Sequence, residues 1–162
     1  MERDNAIKTV RSILLAGLAG GMAEILCISA YSNVQSASGT AVARQVTASL
    51  WPAAGEWAFA PALGIIIHLA LSIALAAMAA PLLSRIALKH PGAGFIVTSA
   101  AFLLVLVWTV NFFIILPMLN PAFVTLLPYS VSFASKLLFG ITMGVVWCHR
   151  PRRQTAAANH FQ

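Results

Sequence analysis

The order of apolar and polar positions divides the chain into four long apolar stretches. They run from about residue 12 to 32, 59 to 83, 93 to 118 and 123 to 148. A helix rises about 1.5 Å per residue, so about 20 apolar residues cross the hydrocarbon core of a bilayer. Each stretch meets that length. We therefore predict an all-α integral membrane protein, an antiparallel bundle of four transmembrane helices that forms a single membrane domain over residues 1–162.

Composition agrees with this prediction. The chain is 60% hydrophobic and only 9% charged, whereas soluble domains carry about 25% charged residues. Its net charge of +6 would suggest nucleic-acid binding in a soluble protein. Here the basic residues flank apolar stretches, so we expect the lipid bilayer as the partner and no nucleic acid.

Eight of the ten lysine and arginine residues fall on one side of the predicted bundle. Arg44 lies on the opposite side, and Lys136 lies within the fourth stretch. Because basic flanks of membrane helices stay in the cytoplasm, we predict a bacterial-type inner-membrane protein with both termini cytoplasmic. The eight residues are Arg3, Lys8, Arg11, Arg85, Lys89, Arg150, Arg152 and Arg153.

The first stretch has an alternative interpretation as a cleaved signal peptide. Its basic start, apolar run and small residues at 34–37 fit that pattern. Glu24 would interrupt the apolar core of such a peptide, which favours a retained helix. Cleavage would leave three helices and would move no basic cluster across the membrane.

The external loop, residues 33–57, contains a short amphipathic segment. Val42, Val46 and Leu50 recur every four residues, and Pro52 follows them, which predicts a helix that ends before the proline. It is either a lipid-facing surface helix that joins two spans or a lid or docking surface for an external partner.

Prolines also mark the second external turn. Pro117 and Pro121 end helices there, and Pro128 falls inside the fourth stretch. Either Pro128 kinks the fourth helix, or residues 123–127 form a separate segment and the span begins near Pro128.

The two halves of the chain can be aligned with each other. Residues 24–33 match residues 111–120, so that Glu24 corresponds to Asn111, and further along His68 corresponds to Lys136. Two helices per repeat would be a parallel duplication, an architecture found in transporters. Apolar sequences of limited alphabet also align by chance, and both explanations stay open.

Three ionisable residues, Glu24, His68 and Lys136, fall inside the apolar stretches, together with the polar Asn111. Such groups are costly in a membrane and are functional candidates by default, and asparagine can hydrogen-bond across helices. All four lie between the middle of the bilayer and its outer third. We therefore predict that they form one intramembrane polar cluster.

Small residues share helix faces with these groups. Gly17 and Gly21 lie on the side of Glu24, and Gly140 and Gly144 lie on the side of Lys136. Glycines four residues apart let helices approach closely. The four glycines are therefore predicted helix-packing positions.

The cluster allows three interpretations. Glu24 and Lys136 can form a buried ion pair that fixes helix register. The ionisable groups can instead move protons or bind a polar solute. His68 is also the single candidate for haem or chlorin ligation, although no second histidine lies at its depth. We predict no resident cofactor and no metal site.

No catalytic motif occurs in the sequence, so we predict no enzymatic activity and no catalytic residue. Small size and glycine-lined faces favour an accessory or assembly subunit of a larger membrane complex, bound to other subunits or to copies of itself. The alternative is an oligomeric transporter or channel for protons or a small solute that uses the Glu, His and Lys cluster. Cofactor binding through His68 is the third hypothesis.

Overall fold

The computed structural model describes residues 2–34 and 39–149, and this part of the chain is helical without strands. The expected basic tail, residues 149–162 with Arg150, Arg152 and Arg153, lies outside the described residues from position 150 onward. The helices are α1 (Glu2–Val34), α2 (Gly39–Leu50), α3 (Ala60–Lys89), α4 (Ala93–Val110), α5 (Leu116–Leu119), α6 (Pro121–Val124) and α7 (Tyr129–Cys148).

Within residues 2–34 and 39–149, four helices are long and apolar enough to span a membrane, the number that the sequence predicted. The helices α1 and α3 extend beyond the apolar stretches into basic sequence at Lys8 and Lys89. Lysine and arginine are good helix formers, so the helix continues where the apolar pattern stops. The candidate spans are Ala6–Val34, Ala60–Lys89, Ala93–Leu119 and Tyr129–Cys148.

The third span contains a local change of helix type. Between Asn111 and Ile115 the backbone is π-helical, and the Leu116 N–H bonds to the Asn111 carbonyl. Pro117 follows at once. A proline has no N–H and displaces the carbonyl four residues before it, so the wider turn fits the helix around the proline.

The fourth span begins later than the predicted residue 123. Pro121–Val124 is a separate short helix, and Pro128 precedes α7 with an extended backbone, φ −56° and ψ 141°. Pro128 therefore starts the helix at Tyr129 and does not kink it. The fourth span has 20 residues, the shortest of the four.

The spanning helices contact one another in the order α3, α1, α7, α4, and the α3–α4 contact is much less extensive. Neighbours run in opposite directions: Gly17 lies against Ile73 and Gly21 against Ser72, so residue numbers rise on α1 as they fall on α3. Gly140 against Ala101 and Gly144 against Val97 show the same for α7 and α4.

The short helix α2 packs along the first turns of α3. The Thr47 hydroxyl donates to the Ala60 carbonyl at 2.7 Å. The carbonyl of Ala43 lies so close to Gly64 that no β-carbon would fit there. The predicted helix is present; on its predicted apolar face Val42 is buried, whereas Leu50 is 59% exposed. Its close contact uses small residues, whereas the sequence pattern counted only aliphatic ones.

Candidate binding site

The central contact between α1 and α7 is an ion pair. Lys136 Nζ donates to Glu24 Oε2 at 2.8 Å, and Glu24 is only 6% exposed. One turn away, a β-carbon on Gly20 would lie 2.7 Å from the ring of Phe139. Gly20 therefore lets α1 and α7 approach closely enough for Lys136 to reach Glu24.

His68 joins the pair from α3. Its Nε2 lies 3.7 Å from Glu24 Oε2 and 3.4 Å from the Gly21 carbonyl oxygen. Both neighbours are acceptors, so Nε2 is the nitrogen that carries the hydrogen. The helices come this close because a β-carbon on Gly17 would lie 2.6 Å from Ile73 Cα.

The glycines of α7 make the matching contact with α4. A β-carbon on Gly140 would lie 2.6 Å from Ala101 Cα, and one on Gly144 would lie 2.8 Å from Val97 Cα. All four glycines predicted to pack helices thus face neighbours within this chain. Gly17 and Gly21 lie on α1, the first spanning helix of the first half of the chain, whereas Gly140 and Gly144 lie on α7, the second spanning helix of the second half. The close-packing glycines therefore do not occupy equivalent positions in the two aligned halves.

Asn111 differs from the other three predicted cluster residues in its side-chain contacts. It belongs to the span formed by α4 and α5, whose main partner is α7. In the described part of the chain no hydrogen bond joins the Asn111 side chain to Glu24, His68 or Lys136. The structure therefore brings together three of the four predicted residues.

A polar contact that the sequence analysis did not single out involves Asn120. Its side-chain amide donates to Gln45 Oε1 at 2.8 Å and to Ser49 Oγ at 3.0 Å. These bonds connect α2 to the turn before α6. An asparagine between prolines is an ordinary turn residue, so the sequence contains no signal for this long-range contact.

A half-open cavity of about 370 Å³ lies between α1, α2 and α3, and the Glu24 and His68 side chains line it. Both contacts of the Glu24 carboxylate use Oε2, and Oε1 has no hydrogen-bond partner among the described residues. Ser32 also lines the cavity; it is 2% exposed, and its Oγ has no partner in the described part. Unpaired buried polar atoms are rare in native structures, so the Ser32 hydroxyl in particular calls for a partner that the described residues do not supply.

The cavity is closed on the side away from α2. There all four spanning helices contribute to one apolar core, which we call the dry half, and we call the region of α2 and the cavity the cavity half. The dry half includes Ala16, Ala76, Leu83, Leu104, Phe139, Met143 and Trp147. Access to Glu24 and His68 is therefore one-sided.

The described residues contain no group of three or more His, Cys, Asp or Glu side chains suited to a metal ion. For haem ligation, His68 Nε2 is already directed at the Gly21 carbonyl and Glu24. The geometry adds no observation in favour of a haem or chlorin, and ligation through His68 stays a prediction.

No protein-family model, curated protein or solved structure matches this chain. The class of protein is therefore defined by the fold and the site alone: the described part of the chain is helical, has four helices long and apolar enough to span a membrane, and encloses a cavity that ends on a buried ion pair.

Proposed function

We propose that this chain is a non-enzymatic, multi-pass inner-membrane protein of bacterial type that binds a small molecule in the cavity half. The observation that carries the proposal is the cavity of about 370 Å³ lined by Glu24, His68 and the unpartnered Ser32. Small-molecule sites are concave, largely apolar and equipped with a few convergent polar groups. The cavity combines these properties in one place.

The proposed topology is an antiparallel four-helix bundle with both termini in the cytoplasm. The basic residues support it, because Lys8 and Arg11 of α1 and Arg85 and Lys89 of α3 flank the dry half. Arg44 at the other end donates to the Gly55 carbonyl at 2.6 Å, so it stabilises the loop locally. A reporter that fluoresces only in the cytoplasm, fused after Gln162, is expected to be bright. A dark reporter together with an active periplasmic phosphatase fusion would refute the topology.

The role in a larger complex remains part of the proposal. The chain is small and has no catalytic motif, which favours a subunit that supplies a binding site to partners. Its close-packing glycines are used within the chain. We therefore expect partner subunits to contact its exposed aliphatic surfaces and not its glycine faces.

Transport is the second candidate function, favoured by a cavity that reaches Glu24 and His68 from one side and by the pairing of Glu24 with Lys136. A carrier needs its site to open alternately toward each side of the membrane. Because α3 and α4 contact each other only to a limited extent, these two helices can separate to open the site. In proteoliposomes, proton uptake reported by an enclosed pH-sensitive dye is expected to fall in the Glu24→Gln, Lys136→Met double variant. Unchanged uptake would exclude transport through the cluster.

Native mass spectrometry of full-length protein, released from its own membrane in mild detergent, tests the binding proposal. We expect an added small-molecule mass on the wild type. In Ile28→Trp the indole fills the cavity, because Ile28 lines it, and the added mass is lost. The matched control is Leu26→Trp on the same helix, where the side chain is 63% exposed and the mass is retained. Wild-type protein without any bound mass, or equal retention in both variants, would contradict the proposal.

A further inference from the structure

Two ionisable side chains, Glu24 and His68, line the cavity together with polar side chains that can both donate and accept hydrogen bonds: Ser29, Ser32, Asn33 and Thr40. Glu24 Oε1 is a carboxylate oxygen without a partner among the described residues. In the neutral tautomer that carries its hydrogen on Nε2, which suits the nearby Gly21 carbonyl, Nδ1 of His68 is a further acceptor. The Ser32 hydroxyl can both accept and donate. The complementary ligand is one that donates a hydrogen bond and can also accept one.

The charge of the site is already balanced. The single carboxylate, Glu24, is paired with Lys136 at 2.8 Å. A cationic or anionic ligand head would therefore add an uncompensated charge to a poorly hydrated region, where isolated charges are strongly disfavoured. The complementary head group is uncharged.

The walls of the cavity are aliphatic. Ile25 and Ile28 of α1, Val42 and Val46 of α2 and Ile65 of α3 line it. Its volume of about 370 Å³ is at the lower end of the range of about 300–1,000 Å³ for small-molecule pockets. A short or branched aliphatic body fills such a space.

From these three properties we infer that the cavity binds an uncharged amphiphile with a hydroxyl head, with the hydroxyl at Glu24 and Ser32 and the aliphatic body against α2 and α3. This inference rests on the proposed function and specifies its ligand class. The ligand is either a free small alcohol or the hydroxyl-bearing head of a neutral lipid, because both present the same chemistry to the site.

Photolabelling in lipid nanodiscs tests the ligand class. Full-length protein is illuminated with octanol that carries a diazirine, and in parallel with the octanoate that carries the same group. We expect octanol adducts on cavity residues such as Ile28 and Ile65, with octanoate adducts there reduced at least about tenfold, the ratio set by a difference of about 1.4 kcal/mol. Equal labelling by both probes, or octanol labelling spread evenly over exposed positions such as Leu71, would overturn the inference.

Competition distinguishes the two sources. Unlabelled octanol is expected to displace the probe in either case, whereas dioleoylglycerol in the nanodisc displaces it only if the natural ligand is a lipid. Displacement by neither competitor contradicts a specific site.

The Ser32→Ala variant tests the hydroxyl contact and is expected to fold. An unpartnered buried hydroxyl destabilises a protein, so the empty variant melts at or above the wild-type temperature, while cavity labelling by octanol falls several-fold. Ser135→Ala is the matched control: Ser135 is 1% exposed, but its Oγ donates to the Ser132 carbonyl at 2.9 Å. It is expected to melt lower and to label like the wild type. Wild-type labelling in Ser32→Ala would contradict the inference.

Failure of the inference is distinguishable from failure of the proposed function. A charged molecule found by native mass spectrometry, with no octanol labelling of the cavity, would overturn the ligand class and leave small-molecule binding standing. Protein that carries no ligand and shows no cavity labelling would overturn both.

Discussion

The dry half and the cavity half are built from the same helices but are packed by different means. In the dry half, alanines such as Ala76 and Ala100 alternate with large side chains such as Phe139 and Met143, all of them buried. In the cavity half, Glu24 of α1 is paired with Lys136 of α7 and approached by His68 of α3, and α2 packs on α3 beside an open volume. Close packing of apolar side chains holds the dry half together and leaves no room there for a ligand. Polar pairing holds the second region and leaves atoms that a ligand can bind.

The largest effect is expected from removing the cation of the cavity half. Lys136→Met leaves the carboxylate of Glu24, which is 6% exposed, without its partner. Breaking a buried pair from one side costs about 3–5 kcal/mol. Glu24→Gln is expected to cost less, because Lys136 is 15% exposed and its Nζ lies 5.4 Å from the Phe139 ring centre, a residual cation–π contact. Reversible unfolding in mixed micelles measures both, and a larger loss in Glu24→Gln would contradict this asymmetry.

A smaller effect is expected in the dry half. In Gly140→Ala the new β-carbon would lie 2.6 Å from Ala101 Cα, so the helices must separate. Overpacking of this kind costs about 1–3 kcal/mol. Gly94→Ala on α4 is the control, because no atom lies within 4 Å of its β-carbon position, and no loss is expected there. Equal unfolding free energies for the two variants would show that α4 and α7 are not in close contact.

The sequence predicted the spans well because their signal is local. Four apolar stretches of spanning length contain the information for four helices, and the structure has four such helices. The approach of Glu24, His68 and Lys136 was also predictable, since intramembrane charges seek partners. Asn111 was assigned to the same cluster by depth alone. Depth does not specify which helices are neighbours, and the main partner of α4 is α7.

The cavity could not have been predicted from sequence. It depends on the packing of α2 against α3 through Ala43, Gly64 and Thr47, which are small residues with little signal in a hydrophobic pattern. The Asn120 contact with Gln45 spans 75 positions in the sequence. Only tertiary structure brings such residues together.

The smallest expected effect concerns the attachment of α2. Asn120→Ala removes its bonds to Gln45 and Ser49, at a cost of about 0.5–1.5 kcal/mol for a typical hydrogen bond. We expect faster amide exchange over residues 39–50 while exchange in the dry half is unchanged. Asn111→Ala is the control, since its side chain has no hydrogen bond to α2 in the described part of the chain, and it is expected to leave α2 unchanged. Unaltered exchange in Asn120→Ala would mean that α3 alone holds α2.

The most direct test of the account is a double-mutant cycle on Glu24 and Lys136. Unfolding free energies are measured in mixed micelles for the wild type, Glu24→Gln, Lys136→Met and the double variant. Because the two side chains meet at 2.8 Å in a buried site, the account predicts that the double variant is more stable than Lys136→Met and that the coupling exceeds about 1 kcal/mol. If the losses of unfolding free energy in the two single variants add up to that of the double variant within about 0.5 kcal/mol, the ion pair does not form. The proposed site would then lack the buried pair on which the cavity ends.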